Sequence, residues 1–398
     1  MRDTFLHHFL WWSAVWCPNG YFSAPFLVAW CGLVEFGAQK GRIVYLCLMG
    51  NQFAQTGVMV SVLMPAFNHG KYIRQAIESF LAQQQVEARL IIGNDASTDD
   101  TLQIAEEYAD KFPDRICVIS NPHNLGLIGN YKSLVENSSS RYIAILESDD
   151  YWTDPLKLHK QVAYLEAHPE CGLVYTSGEF VDETGNHLGV KKECAGVMCR
   201  GRASSLAGAE GNEVSGAVMK DSHEQNRLLQ QVLMSNPVLA VTACFRREAF
   251  EKGCCMADFV ERNFVTFDYP VWIGLASCSD FYVMEEVTAA YRVGGASISN
   301  NASYTRREAF QSGIDEIVRY SLQKYNCGKY AKEILNERIV KKMILALSFS
   351  KFERYSYFCR QIDASAGLKW EVMRYFPWVF RLKKRKLIGT GTVYKLSR

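Results

Sequence analysis

From about residue 58 the hydrophobic positions of this chain switch spacing at regular intervals. Val58–Met64 is a short run of apolar and β-branched residues that stops at Pro65, the pattern of a buried strand. From Lys71 to Gln85 the apolar residues Ile73, Ala76, Ile77, Phe80 and Leu81 recur at helical spacing. The same alternation predicts further strands at Arg89–Gly93, Ile116–Ile119, Tyr142–Leu146 and Leu173–Thr176. Between them it predicts helices at Thr98–Phe112, at Leu127–Asn137 and from Thr153 to about His168. Ser97-Thr98-Asp99-Asp100 and Thr153-Asp154-Pro155 carry the oxygens and the proline that suit helix starts. Alternating elements of this length imply an α/β fold: a mixed, mainly parallel sheet flanked by helices.

Regularity lapses over residues 186–224, where Gly, Ala, Ser and Lys dominate and a flexible loop is expected. Helices resume near Gln225–Met234 and Asp268–Ala276, two strands follow at Phe281–Met284 and Val287–Arg292, and the chain is helical beyond Thr305. The first 57 residues differ from the rest. Thr4–Val34 holds no Asp, Glu, Lys or Arg and is crowded with Trp11, Trp12, Trp16 and Trp30. Cys17-Pro18 and Pro25 interrupt the roughly 20 apolar residues that a membrane span needs. A disordered extension, a membrane-associated hairpin and an apolar docking segment all suit this stretch. The organisation read from the pattern is an extension over 1–57, an α/β domain over 58–300 with halves 58–180 and 181–300, and a helical region over 301–398.

Composition narrows the class. With 48% apolar and 22% charged residues among 398, the chain has material for a core and is not of a disordered, collagen-like or coiled-coil type. A net charge of +2 gives no global field toward nucleic acid, so no nucleic-acid partner is expected. Thirteen cysteines without a C-x-x-C pair give neither zinc spacing nor a secreted disulfide framework, and reduced thiols in a cytoplasmic setting are expected.

Open α/β sheets bind ligands beyond the carboxyl ends of their strands. Pro65-Ala66-Phe67-Asn68 follows the first strand, Asn94-Asp95 the second, and Glu147-Ser148-Asp149-Asp150 the fourth. Neighbouring carboxylates repel one another and favour a cation, and Mg2+ or Mn2+ is commonly held by one or two carboxylates plus substrate phosphates. Neither G-x-G-x-x-G nor G-x-x-x-x-G-K-[ST] occurs, which disfavours dinucleotide-linked redox enzymes and P-loop enzymes. Acidic strand ends also serve as helix caps. Here Thr153 and Asp154 already supply that cap, leaving Asp149 and Asp150 without a structural task.

Taken in order, Val60–Asn68, Asn94-Asp95-Ala96-Ser97-Thr98-Asp99-Asp100-Thr101, Asn124-Leu125-Gly126 and Glu147-Ser148-Asp149-Asp150-Tyr151-Trp152 resemble the family 2 glycosyltransferases, inverting enzymes of the GT-A fold. The resemblance is strong over about 58–180 and continues weakly to about 300. It implies that Asp95 accepts a hydrogen bond from the nucleotide base, typically uracil, with Pro65, Ala66 and Phe67 lining base and ribose and Asn68 shaping the loop. It further implies that Asp149 faces ribose or metal and that Asp150 binds the Mg2+ or Mn2+ bridging the diphosphate. Phe267-Asp268-Tyr269-Pro270-Val271-Trp272 resembles the segment of the catalytic base, which makes Asp268 the candidate. Tyr291-Arg292, with Ser297 and Ser299, resembles the family's closing strand and loop.

Asn94, Glu147 and Gly294 depart from residues common in the family, Asp at the first two and His at the third. The Q-x-x-R-W pattern of processive synthases is missing, which favours single-sugar transfer. The implied partners are a nucleotide-sugar donor and a glycan or lipid-linked acceptor in cell-surface polysaccharide synthesis. The aromatic and basic stretch Lys369–Lys386 suits peripheral contact with an anionic membrane on its cytoplasmic face. Two other readings stay open: a nucleotidyltransferase, and a degenerate GT-A fold kept for binding or assembly.

Overall fold

The period-2 alternation of β1 (Val60–Ala66) sends Val60, Val62 and Met64 to one side of the sheet and Leu63 to the other. In β2 (Ala88–Asn94), Leu90 and Ile92 join the first side and Ile91 the second. In β4 (Tyr142–Ile145), Tyr142 and Ala144 oppose Ile143 and Ile145. Both faces are covered, which is why these strands read as unbroken apolar runs. The computed structural model describes residues 59–193, 196–198, 227–294, 303–367 and 369–371. The N-terminal extension, most of the expected loop 186–224, Ser297, Ser299 and the bulk of the basic C-terminal end lie outside them.

Helices α1 (Ile73–Leu81), α2 (Thr101–Lys111) and α4 (Lys157–Ala167) pack on the first face through Ile73, Ile77, Phe80, Ile104, Tyr108, Leu158 and Leu165. The second face is covered by α3 (Gly126–Glu136), α5 (Arg227–Met234) and α8 (Asp268–Cys278), with α6 (Arg247–Gly253) and α7 (Met256–Glu261) beside them. Of the C-terminal helices, α9 (Tyr304–Lys324) adds Ile314, Ile317 and Val318 to this same core. Helices α10 (Ala331–Ser348) and α11 (Phe352–Gln361) close a smaller cluster around Met343, Tyr355, Ile362 and Trp370.

With β3 (Ile116–Ser120), β5 (Tyr151–Trp152), β6 (Cys171–Val181), β9 (Cys244–Arg246) and β10 (Asp280–Arg292), the strand order is β3-β2-β1-β4-β9-β6-β10-β5. Pairing is parallel among β3, β2, β1 and β4 and between β6 and β10, and antiparallel where β9 lies between β4 and β6. The mixed, mainly parallel sheet with flanking helices and a helical C-terminal region is the α/β arrangement expected from the sequence.

Some boundaries differ from the pattern. β1 runs through Pro65 to Ala66 because its pairing with β4 ends opposite Leu63, so no ladder bond is lost at the proline. The two strands expected around Glu285-Glu286 are one strand, β10, with a register irregularity against β6 between Met284 and Val287. Two strands, β7 (His187–Lys191) and β8 (Gly196–Met198), occupy part of the segment expected to be an irregular loop, pairing antiparallel with β6 and β10.

Phe245 on β9 is fully buried and meets Trp272 edge-on at 5.7 Å between ring centroids. Phe245→Ala should cost about 3–5 kcal/mol in denaturant unfolding, whereas Leu188→Ser on exposed β7 should change stability by less than about 0.5 kcal/mol.

Candidate active site

The carboxyl ends of β1 and β2 build one end of the site. The Pro65 and Ala66 side chains are buried in the strand, and their carbonyls accept bonds from the Ser148 hydroxyl (2.8 Å) and the Asp95 amide (2.9 Å). Phe67 turns outward at 45% exposure. Asn68 has φ 55°, a left-handed conformation that asparagine tolerates better than most residues. Its side-chain oxygen accepts the Thr98 amide at 2.8 Å, and its own amide donates to Ser97 Oγ at 3.1 Å. Asn68 therefore ties the loop after β1 to the loop after β2.

Asp95 is buried, and its Oδ1 accepts the Leu125 amide (2.8 Å) and Asn121 Nδ2 (3.0 Å). Asn121 also reaches Asn130, whose own amide donates to the Gly93 carbonyl at 2.7 Å. A side chain at Gly93 would meet Asn130 Oδ1 at 2.3 Å, so glycine permits the close approach of α3. Among the described residues Asp95 Oδ2 has no hydrogen-bond partner. Asp95 thus offers a fixed acceptor at the mouth of the β1–β2 crevice.

The acids follow β4. Ser148 is fully buried and spends its proton on the Pro65 carbonyl, so the 2.7 Å contact with His69 Nδ1 has the imidazole N–H donating. Asp150 is also buried. Its Oδ1 accepts the Arg292 amide at 2.7 Å, while among the described residues Oδ2 has no partner. The carboxylates of Glu147 and Asp149 make no hydrogen bond or ion pair with the described residues. Asp268 starts α8, where the helix dipole favours negative charge, and accepts bonds from Asn236 Nδ2 (3.0 Å) and the Thr266 hydroxyl.

These acids feel one another. Burial, then Asp149 and Asp268, push the Glu147 carboxyl up to about 8. Burial, then Asp149 and Glu147, hold Asp150 well above the usual carboxylate range, partly opposed by Arg292. Tyr131 on α3 adds a hydroxyl to the same place. It is buried, has no hydrogen-bond partner among the described residues, and lies within the influence of Glu147, Asp268, Asp149 and Asp150. Its ring stacks on Phe267, the residue before Asp268, at 3.9 Å between centroids.

The structure therefore brings Asp149, Asp150 and Asp268 together and adds Glu147 to them, while Asp95 and the Pro65–Asn68 loop share the same strand-end rim. Asp150 is not idle as the capping pattern suggested, because it holds the Arg292 amide. Tyr131 carried no chemical signal in the sequence, and Arg292 entered only as part of a segment resembling the family's closing strand, since their roles arise from contacts across many residues. Among the described residues no group of three or more His, Cys, Asp and Glu side chains is placed to hold a metal ion. What is present is a partnerless Asp150 Oδ2 beside the unpaired Asp149 and Glu147 carboxylates. That donor set fits a hard cation that takes its remaining oxygens from a diphosphate.

Two outcomes follow. Glu147 titrates higher in the folded than in the unfolded chain, so between about pH 4.5 and 8 the folded state binds more protons. Stability of the unliganded protein should fall as pH rises through that window, by up to about 1.4 kcal/mol per pH unit, and Glu147→Gln should flatten the slope in thermal melts. Tyr131→Phe removes an unpartnered buried hydroxyl and keeps the ring stack, so the melting temperature should hold or rise, by up to about 1 kcal/mol of stability.

Among known proteins, the model of glycosyl transferase family 2 matches residues 61–231. An uncharacterised protein of Mycobacterium tuberculosis is 39% identical over 127 residues, covering 32% of this chain and 37% of that protein. The Escherichia coli protein UDP-Glc:alpha-D-GlcNAc-diphosphoundecaprenol beta-1,3-glucosyltransferase WfaP is 35% identical over 108 residues, covering 27% of this chain and 41% of its own. The chain thus spans less than half the length of these curated relatives. The crystal structure of S. aureus TarS 1-349 in complex with UDP-GlcNAc is similar at 15% identity and a TM-score of 0.49, covering 77% of this chain and 82% of that one. No helix among the described residues is long and apolar enough to cross a membrane. The ordered sequence blocks and the family match agree on the same stretch, residues 61–231, where this chain is similar to glycosyl transferase family 2.

Proposed function

We propose that this chain transfers a single sugar, with inversion, from a UDP-linked donor to a glycan or lipid-linked acceptor in cell-surface polysaccharide synthesis. The observation that carries the reading is the meeting of Glu147, Asp149 and Asp150 with Asp268, which lies more than a hundred residues further along the chain, at the rim that also holds Asp95. The diphosphoundecaprenol in the Escherichia coli relative's name supports a lipid-linked acceptor, and the aromatic-basic stretch Lys369–Lys386 supports peripheral work at the cytoplasmic membrane face.

In this reading Asp95 Oδ2 accepts the imide N–H of uracil, while Phe67 borders the ribose above the buried Pro65 and Ala66. Asp149 and Asp150 would hold Mg2+ or Mn2+, which when bound neutralises charge on the departing diphosphate. Asp268 accepts the proton of the acceptor hydroxyl as that oxygen attacks the anomeric carbon. Asn236 and Thr266 aim its carboxylate. One base suffices, because the leaving diphosphate needs no second carboxylic acid to protonate it.

Asp268→Asn should lower transfer roughly 10²–10⁴-fold while UDP binding is retained, measured as UDP release from UDP-sugars with candidate acceptors. UDP with Mn2+ at about 100 times its dissociation constant should stabilise the protein by about 2.7 kcal/mol, and Asp150→Ala should lose the cation-dependent part. Absence of any stabilisation by UDP, GDP, CDP and dTDP would favour a binding or assembly role. Pyrophosphate in place of UDP as product would mark a nucleotidyltransferase.

A further inference from the structure

Arg292 ends β10 and is 6% exposed behind the acid loop. Its amide donates to Asp150 Oδ1 at 2.7 Å, and Nε donates to the Asp149 carbonyl at 2.8 Å. Nη1 donates to the carbonyls of Asp182 (3.1 Å) and Glu183 (3.3 Å), where β6 turns toward β7. Nη2 donates to Gln75 Oε1 on α1 at 2.8 Å. The guanidinium sits 4.7 Å from the Tyr72 ring centroid and 5.7 Å from that of Tyr151. One side chain thereby joins the acid loop, α1 and the end of the β6–β10 pair.

The partners matter as much as their number. A guanidinium paired with carboxylates would occupy the oxygens that a cation needs. Here it bonds to backbone carbonyls and an amide oxygen, so its permanent charge sits beside the acids while their side-chain oxygens stay available. That is what a loop of like charges requires to stay assembled before any cation arrives.

We propose that Arg292 is a positioning residue for the Asp149–Asp150 carboxylates, setting the geometry in which a cation-bound nucleoside diphosphate is received. The inference rests on the proposed function. Its test is calorimetric titration of the full chain with UDP, with and without Mn2+, in wild type, Arg292→Lys and Gln75→Ala. Arg292→Lys keeps the charge and loses the fork, and should raise the dissociation constant for UDP with Mn2+ by about 10–100-fold. Binding of UDP alone should stay near wild type, because Asp95 is held independently by Leu125 and Asn121. Gln75→Ala removes one acceptor outside the acid loop and should give a smaller rise in the same direction, which keeps the test alive if Arg292→Lys fails to fold. A purely architectural arginine would lower the melting temperature and leave the Mn2+-dependent affinity of the folded protein at the wild-type value, and that result overturns the assignment alone. Wild-type protein that binds neither UDP nor GDP with Mn2+ overturns the proposed function, and this inference with it.

Discussion

Carboxylates crowded at one sheet edge repel, and the rest of this structure is arranged around holding Glu147, Asp149, Asp150 and Asp268 there. Three compensations are visible. The N-terminus of α8 supports the charge of Asp268, the Arg292 amide takes up one oxygen of Asp150, and the Arg292 guanidinium adds a fixed positive charge bonded to the loop backbone. Protonation supplies the remainder, with burial and the neighbouring acids raising the carboxyls of Glu147 and Asp150.

Helix α3 connects the two ends of this arrangement. Just before it the Leu125 amide fixes Asp95, within it Asn130 holds the end of β2 through Gly93, and one residue on Tyr131 stacks against Phe267 beside Asp268. Leu125 and Tyr131 are six residues apart, about 9 Å along a helix. The distance between the Asp95 end and the acid end is therefore set by rigid secondary structure instead of by loops. Close approach of this helix depends on the missing side chain at Gly93.

The placement of Ser148 shows how the loop keeps its shape. A buried hydroxyl between the Pro65 carbonyl and His69 locks the strand-four loop to the strand-one loop. The acids on either side of it are then left to face the rim, and Asn68 and Asp99 stitch the strand-one and strand-two loops together by the same means.

Apolar spacing by itself determined the strands from Val60 to Val174, the helices between them and the order in which they alternate, because burial of both sheet faces requires those residues at those periods. The blocks around Asp95, Asp149 and Asp150 were equally legible, since a charge at a strand end is a local feature, whereas Asp268 was singled out by resemblance alone. Other features depend on partners far away in the chain. Joining the apolar runs on either side of Glu285-Glu286 into one strand needed β6 alongside, and ordering residues 187–191 needed its edge. Glu147 became a member of the acid cluster with Asp268 only when Phe267 stacked on Tyr131 of α3, and Arg292 acquired its role through contacts with residues 75, 149, 150, 182 and 183. Periodicity records which face of an element is buried. What that face meets is decided by tertiary packing, and so is the balance of charge at the site.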